Sequence, residues 1–244
     1  MNKKVIVIGA SSGIGMALAE HYAFCGCKVG IAARREEKLK KMALMFPNNV
    51  IYKVIDVISK GASDDFSSLV SDLGGVDLVI YCSGAGRYSE TLDPSIERQT
   101  TDVNVIGFLN IVVPAFNYFA VRGANSFPKP QIVTISSVAS IRGLAPTPSY
   151  SATKRFQTIY FEALEQKAHK IGLNITFTSI IPGFIATDFI NRKYPLTMDL
   201  QYAVWRMIKA IDRRKRVAVI DWKWRLIVAI MRIVPSFVWK RLPI

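Results

Sequence analysis

KVIVIGASSGIG, residues 4–15, decides how this chain folds: an apolar run ends in a turn carrying Gly9, Gly13 and Gly15, and the turn opens into a helical stretch through Ala17 to Phe24. Two lysines precede the run, as in a secretory leader, but it is short and breaks at glycine, so it reads as a first strand. Glycine lets the backbone turn sharply and come close to a pyrophosphate, whose charge is favoured by free N–H groups at the start of a helix. The spacing is G-x-x-x-G-x-G and differs from the general dinucleotide fingerprint G-x-G-x-x-G. Gly9, Ser11, Ser12, Gly13, Ile14 and Gly15 are therefore the candidate phosphate cradle, the alternative being a glycine-rich turn that holds no ligand.

Downstream, the apolar runs KVGIAA, VIYKVID, VDLVIYC, QIVTIS and NITFTSIIPG alternate with longer helical stretches, among them a charged one from Glu36 to Met45. Runs that are apolar at nearly every position suit strands covered on both faces, and the helices between them are the crossovers that parallel strands need. The expected fold is a doubly wound α/β parallel sheet with helices on both faces. A chain of 244 residues without a linker-like tract, low-complexity segment or internal repeat fits one domain over 1–244. Three cysteines, Cys25, Cys27 and Cys82, form no CxxC pair and only two histidines, His21 and His169, accompany them. A metal site or disulfide framework is not expected, and a reducing cytoplasmic compartment is.

At the end of the second run, IAARR offers Arg34 and Arg35 where a carboxylate would grip the ribose 2′-hydroxyl of NAD. A guanidinium matches a 2′-phosphate in charge and fork geometry, so NADP(H) is expected over NAD(H). The alternative is that both arginines merely begin a solvated helix. Further on, YSATK (150–154) sets a tyrosine and a lysine four apart. On one helix face Lys154 can sit beneath the Tyr150 hydroxyl and favour the phenolate.

In this order the motifs resemble those of the short-chain dehydrogenase/reductase family in its compact form, from about Lys4 to Thr187. GASSGIG is similar to the family's TGxxxGxG turn, Asp56-Val57 to its adenine-holding pair, and Asn104 in NVIG to its active-site asparagine. Ser137 in VTISS resembles the catalytic serine, thirteen residues before the Tyr150 of the YxxxK pair. Pro182, Gly183, Ile185 and Thr187 resemble the segment that cradles the nicotinamide and its phosphate. The resemblance implies a Rossmann-type fold, a homodimer or homotetramer, and hydride transfer between a nicotinamide and a carbonyl or alcohol carbon. It implies Tyr150 as general acid or base, Lys154 favouring the phenolate and bonding the nicotinamide ribose, and Ser137 polarising the substrate oxygen. Asn104 is implied to hold a water linking Lys154 to solvent. One departure stands out: YCSG (81–84) replaces the usual NNAG, keeping Gly84 for close approach to the cofactor but requiring other bonds in place of the asparagine's. Cys82 reads as a small buried hydrophobe.

The formal net charge of +14 is concentrated late: from residue 192 onward there are thirteen Lys/Arg against three Asp, and all four tryptophans (Trp205, Trp222, Trp224, Trp239) lie there. Residues 184–202 are expected to form a substrate loop and 205–244 a basic extension. Its longest apolar run, Leu226 to Met231, is far short of the roughly 20 residues a bilayer span needs. Wound as a helix, Trp222 to Val234 is apolar around most of its circumference, with Arg225 and Arg232 on one narrow side. It could lie in an anionic membrane interface, pack on its own domain, cover the substrate pocket or meet another subunit, whereas RRKR (213–216) alone does not argue for nucleic acid. Leu144, Ala145, Pro146 and Phe184 suggest an apolar, lipid-like substrate. A non-catalytic NADP(H) sensor and a membrane-recruited scaffold are the competing functions.

Overall fold

The computed structural model of the protein describes residues 3–89, 91–187 and 194–242, so residues 188–193 of the expected substrate loop lie outside the described residues. Seven strands, β1 (Lys4–Ile8), β2 (Lys28–Ala33), β3 (Val50–Val54), β4 (Leu78–Tyr81), β5 (Gln131–Ile135), β6 (Thr176–Ile181) and β7 (Val217–Val219), form one sheet. Its order is β3-β2-β1-β4-β5-β6-β7, and every neighbouring pair is parallel. The helices are α1 (Gly13–Phe24), α2 (Glu36–Met45), α3 (Ala62–Asp72), α4 (Pro94–Thr101), α5 (Gly107–Arg122), α6 (Pro148–Lys170), α7 (Leu200–Asp212), α8 (Trp222–Ile233) and the short α9 (Ser236–Trp239). This is the expected doubly wound sheet.

Side-chain alternation along β1 shows why its run is apolar throughout. Val5 and Val7 face a core shared with α1, α2, α7 and α8, while Ile6 and Ile8 face one shared with α3, α5 and α6. All four are fully buried, as a strand covered on both sides requires. The winding reverses between β1 and β4, which opens a crevice at their C-terminal ends, where such folds take ligands. The helical stretch Pro94–Arg122 has the length and mean hydropathy (1.5) of a bilayer span, but half of its most apolar window is buried in the fold.

Candidate active site

The glycine turn after β1 is built by close packing. Gly9 has φ +89°, and a Cβ there would stand 2.6 Å from the Ser83 nitrogen; a Cβ at Gly15 would stand 2.2 Å from the Gly9 carbonyl oxygen. No other residue fits either place, and the turn is thereby pressed against the segment after β4. Ser12, the N-cap of α1, is extended and makes no side-chain cap hydrogen bond, so no cap side chain takes up the first N–H groups of α1, which could meet an anion. Across it, the Thr187 methyl lies 3.5 Å from where a Gly13 Cβ would be. Arg35 donates from Nε and Nη2 to the Ser11 hydroxyl at 3.0 and 2.9 Å, while Arg34 is exposed beside it. At the end of β3 the Asp56 carboxylate accepts from the Ile58 N–H at 3.3 Å, and the Val57 carbonyl accepts from Asn110 Nδ2 at 2.9 Å. These groups fit a dinucleotide phosphate chain with an adenine beyond it.

On the other side of the crevice, α4 and α5 join through a π-helical turn, Asp102–Ile106, and Asn104 sits in it, fully buried. Such turns recur at functional sites. Asn104 Oδ1 accepts from the Ala85 N–H at 2.9 Å, and Nδ2 donates to the Ala85 carbonyl at 2.7 Å and to Thr153 Oγ1 at 3.0 Å. Asn104 therefore fastens the loop after β4, where YCSG stands in place of NNAG.

α6 begins with Pro148 in its first turn, and the Glu97 carboxylate of α4 accepts from the Ser149 N–H at 3.1 Å, an anion at the positive end of the helix. Tyr150 and Lys154 follow on one face, with Lys154 Nζ 5.8 Å from the centre of the tyrosine ring. The Tyr150 hydroxyl is hydrogen-bonded to Ser137, and the ring leans on Gly86, whose Cβ would fall 2.4 Å from Tyr150 Cδ2. The Ser136 hydroxyl is bonded instead to the Lys154 carbonyl at 3.2 Å, a structural part.

Burial sets the titration of this group. It pulls Lys154 down to about 8 and pushes the Tyr150 phenol up, against which the Ser137 hydrogen bond acts. The Cys82 thiol is pushed up to about 12 by desolvation, so it is neutral; the residue is half-buried against the core, less enclosed than the buried hydrophobe expected. The amide of Gln157 joins Lys154 to Asn104: Lys154 Nζ donates to Oε1 at 3.2 Å and Nε2 donates to the Asn104 carbonyl at 2.9 Å.

After β6, the Pro182 carbonyl accepts from the Val138 N–H at 3.0 Å, and Ile185 bridges to Met198. Trp224 of α8 lies on Gly183 so closely that a Cβ there would meet its ring at 1.9 Å. Phe184 stacks on Tyr194 at 4.2 Å and meets Trp224 edge-on at 5.4 Å. Sequence reading thus missed Gly86, Gln157 and Trp224. Gln157 carried a usable signal, three residues after Lys154 and seven after Tyr150 on the same face; Trp224 carried none.

A parallel α/β crevice with a glycine turn opening a helix on one side and a Tyr-Lys-Ser-Asn group on the other defines a class, the nicotinamide-dependent oxidoreductases. The sequence profile of the short chain dehydrogenases matches residues 3–195, and the chain belongs to that family. It is 32% identical to a dehydrogenase/reductase SDR family protein 7-like of Dictyostelium discoideum over 201 residues, 77% of this chain and 60% of that one. It is 31% identical to an uncharacterized oxidoreductase of Staphylococcus epidermidis over 205 residues, 78% of this chain and 84% of the other. A short chain dehydrogenase from Burkholderia cenocepacia, solved in complex with NADP, superposes with a TM-score of 0.84 at 20% identity, covering 100% of this chain and 98% of its own.

Proposed function

We propose that the protein is an NADP(H)-dependent oxidoreductase that moves a hydride between the nicotinamide and a ketone or aldehyde, or the corresponding alcohol, of an apolar substrate. The observation that carries this is the hydrogen-bonded pair Tyr150–Ser137 with Lys154 one turn behind it. Gly9 to Gly15, Asp56-Val57, Gly84 and the 182–187 segment would hold the cofactor, which when bound supplies or takes the hydride. Ser137 holds the substrate oxygen, Tyr150 gives it a proton in reduction or takes one in oxidation, and the Lys154 ammonium favours the phenolate. We take residues 1–244 as one cofactor-binding unit, with 184–202 closing over the substrate. A cytoplasmic homodimer or homotetramer fits three unpaired thiols and the exposed Val113 and Ile159 on α5 and α6.

Arg35, beside the Ser11 hydroxyl, supports NADP over NAD, with Arg34 as a second cation. Arg35→Ala is expected to weaken NADPH binding about tenfold to a hundredfold, the worth of a hydrogen bond to a charged group, and to leave NADH binding near its parent value. Fluorescence titration with both cofactors reads this. An equal loss for both, or tighter NADH binding by the parent, would turn the preference around. Tight NADPH binding without turnover on any apolar ketone, aldehyde or quinone would favour a sensor.

The tail supports two roles at once. Trp239 Nε1 donates to the Gly143 carbonyl at 2.9 Å and Arg142 stacks over the Trp239 ring at 5.0 Å, so α9 closes the loop that follows Ser137 and carries Leu144 and Pro146. On its outer side α8 and α9 expose Trp222, Leu226, Ile230, Ile233 and Phe237 beside Lys223, Arg225 and Arg232. An anionic membrane surface fits that face, with the cations on headgroups. The parent should float with anionic vesicles and the triple variant Leu226→Glu, Ile230→Glu, Ile233→Glu should stay behind. Equal recovery of both would end the membrane reading.

A further inference from the structure

Lys154 is buried, 4% exposed, and its Nζ reaches two fixed acceptors: the Ile135 carbonyl at 2.8 Å and Gln157 Oε1 at 3.2 Å. An ammonium has three N–H donors, so one is left over. The backbone of Gly84 lies beside it, with a Cβ position 3.4 Å from Nζ. Gln157 is itself completely buried and is bonded at both amide atoms: Nε2 donates to the Asn104 carbonyl at 2.9 Å, and Oε1 also accepts from Thr134 Oγ1 at 3.4 Å. A primary amide cannot slide or titrate, and its orientation here is fixed at both ends by a donor on one side and an acceptor on the other. We propose that Gln157 is a positioning residue that ties Lys154 to the π-helical turn, commits two of the lysine's three N–H groups inward and leaves the third to the crevice beside Tyr150. The same carbonyl dipole keeps the buried ammonium charged. Around Lys154 the titratable groups are Tyr150 on its own helix and Cys82 at the end of β4, both neutral at neutral pH, while the π-turn and β5 present Asn104, Ile135 and Ser136, which carry no charge. No described carboxylate shares this work, so Oε1 is the group whose removal the lysine feels.

This rests on the proposed role of Lys154, so the test reads the lysine before it reads catalysis. Carbon NMR of the lysine ε-carbons in the cofactor-free protein, with Lys154 assigned by its loss in Lys154→Arg, gives its titration directly. In the parent the ammonium is present below about 8 and lost above it. Gln157→Leu removes an acceptor of a charged donor and should shift the midpoint down by about one pH unit, whereas Gln157→Glu supplies an anion and should shift it up. Gln157→Met replaces Gln157→Leu should the latter fail to fold. The basic limb of NADPH oxidation should move in the same two directions, with kcat changed more than KM for NADPH. A merely structural glutamine would loosen the site in both variants and shift both midpoints the same way or not at all, and either result overturns the proposal. Opposite shifts in NMR without turnover in any protein would leave the positioning intact and reject the enzyme.

Discussion

Tyr150→Phe is expected to bind NADPH nearly as tightly as the parent and to lose turnover by about 10² to 10⁴-fold, the span that removal of a positioned general acid typically gives. The variant keeps the ring, and the ring is what packs on Gly86, so the fold and the cofactor cradle should not change. Only the hydroxyl that bonds Ser137 is lost. The pH dependence gives an independent sign. Lys154 is charged below about 8 and neutral above it, so its help to the phenolate fades as pH rises through that value. The parent should therefore lose activity on the alkaline side, and the residual activity of Tyr150→Phe should be flat there. NADPH oxidation against a panel of apolar ketones and aldehydes, beside fluorescence titration of NADPH, measures both. Full activity in Tyr150→Phe would remove Tyr150 from the chemistry.

The fold was legible because its strands are buried on both faces. Ile6 and Ile8 need an apolar side chain as much as Val5 and Val7 do, and the resulting continuous runs between helices admit few arrangements other than a parallel sheet. β7 escaped this reading for a physical reason. It has three residues, its first is exposed, and RRKR stands just before it, so neither length nor patterning marks it as a strand.

The site was legible where chemistry fixes the residue type and opaque where packing does. A proton donor, a cation to lower its pKa and a turn that meets phosphate can each be named from one stretch of chain. The partners of Asn104 cannot: its amide is held by the Ala85 backbone, and backbone atoms leave no trace in sequence. Through that bond pair the loop after β4 is tied to the helix opposite. Arg34 and Arg35 were indistinguishable as sequence, and the structure separates them by bringing Arg35 to Ser11. The tail was the hardest part, because an amphipathic helix shows how wide its apolar face is and not what covers it. Trp224, Val228 and Met231 turn out to be buried against the body, and Trp222, Leu226, Ile230 and Ile233 to be exposed.

Gly183→Ala is the second large effect expected, and it joins that tail to the cofactor cradle. The new Cβ would fall 1.9 Å from Trp224 Cε2 and 2.2 Å from Cδ2 and Nε1, so either the indole or the 182–187 segment must move. The indole is not free to do so. It is 6% exposed, its Nε1 donates to the Leu196 carbonyl at 3.3 Å, and α8 is fixed just before it by Asp221, which accepts from the Lys223 N–H and the Tyr202 hydroxyl, both at 2.8 Å. Forcing a methyl into so full a place should cost about 1–3 kcal/mol and lower Tm, while weakening NADPH binding as the cradle shifts. Trp224→Leu alone leaves a cavity and should also destabilise. Combined, the two should be milder than their sum, because the smaller side chain makes room for the methyl, and a thermal-denaturation cycle of the four proteins measures that coupling. Strict additivity, or a Gly183→Ala protein with the parent's Tm and NADPH affinity, would mean that α8 does not bear on the cradle. With the coupling present, a change on α8 reaches Gly183, and through it the 182–187 segment, by way of one rigid ring.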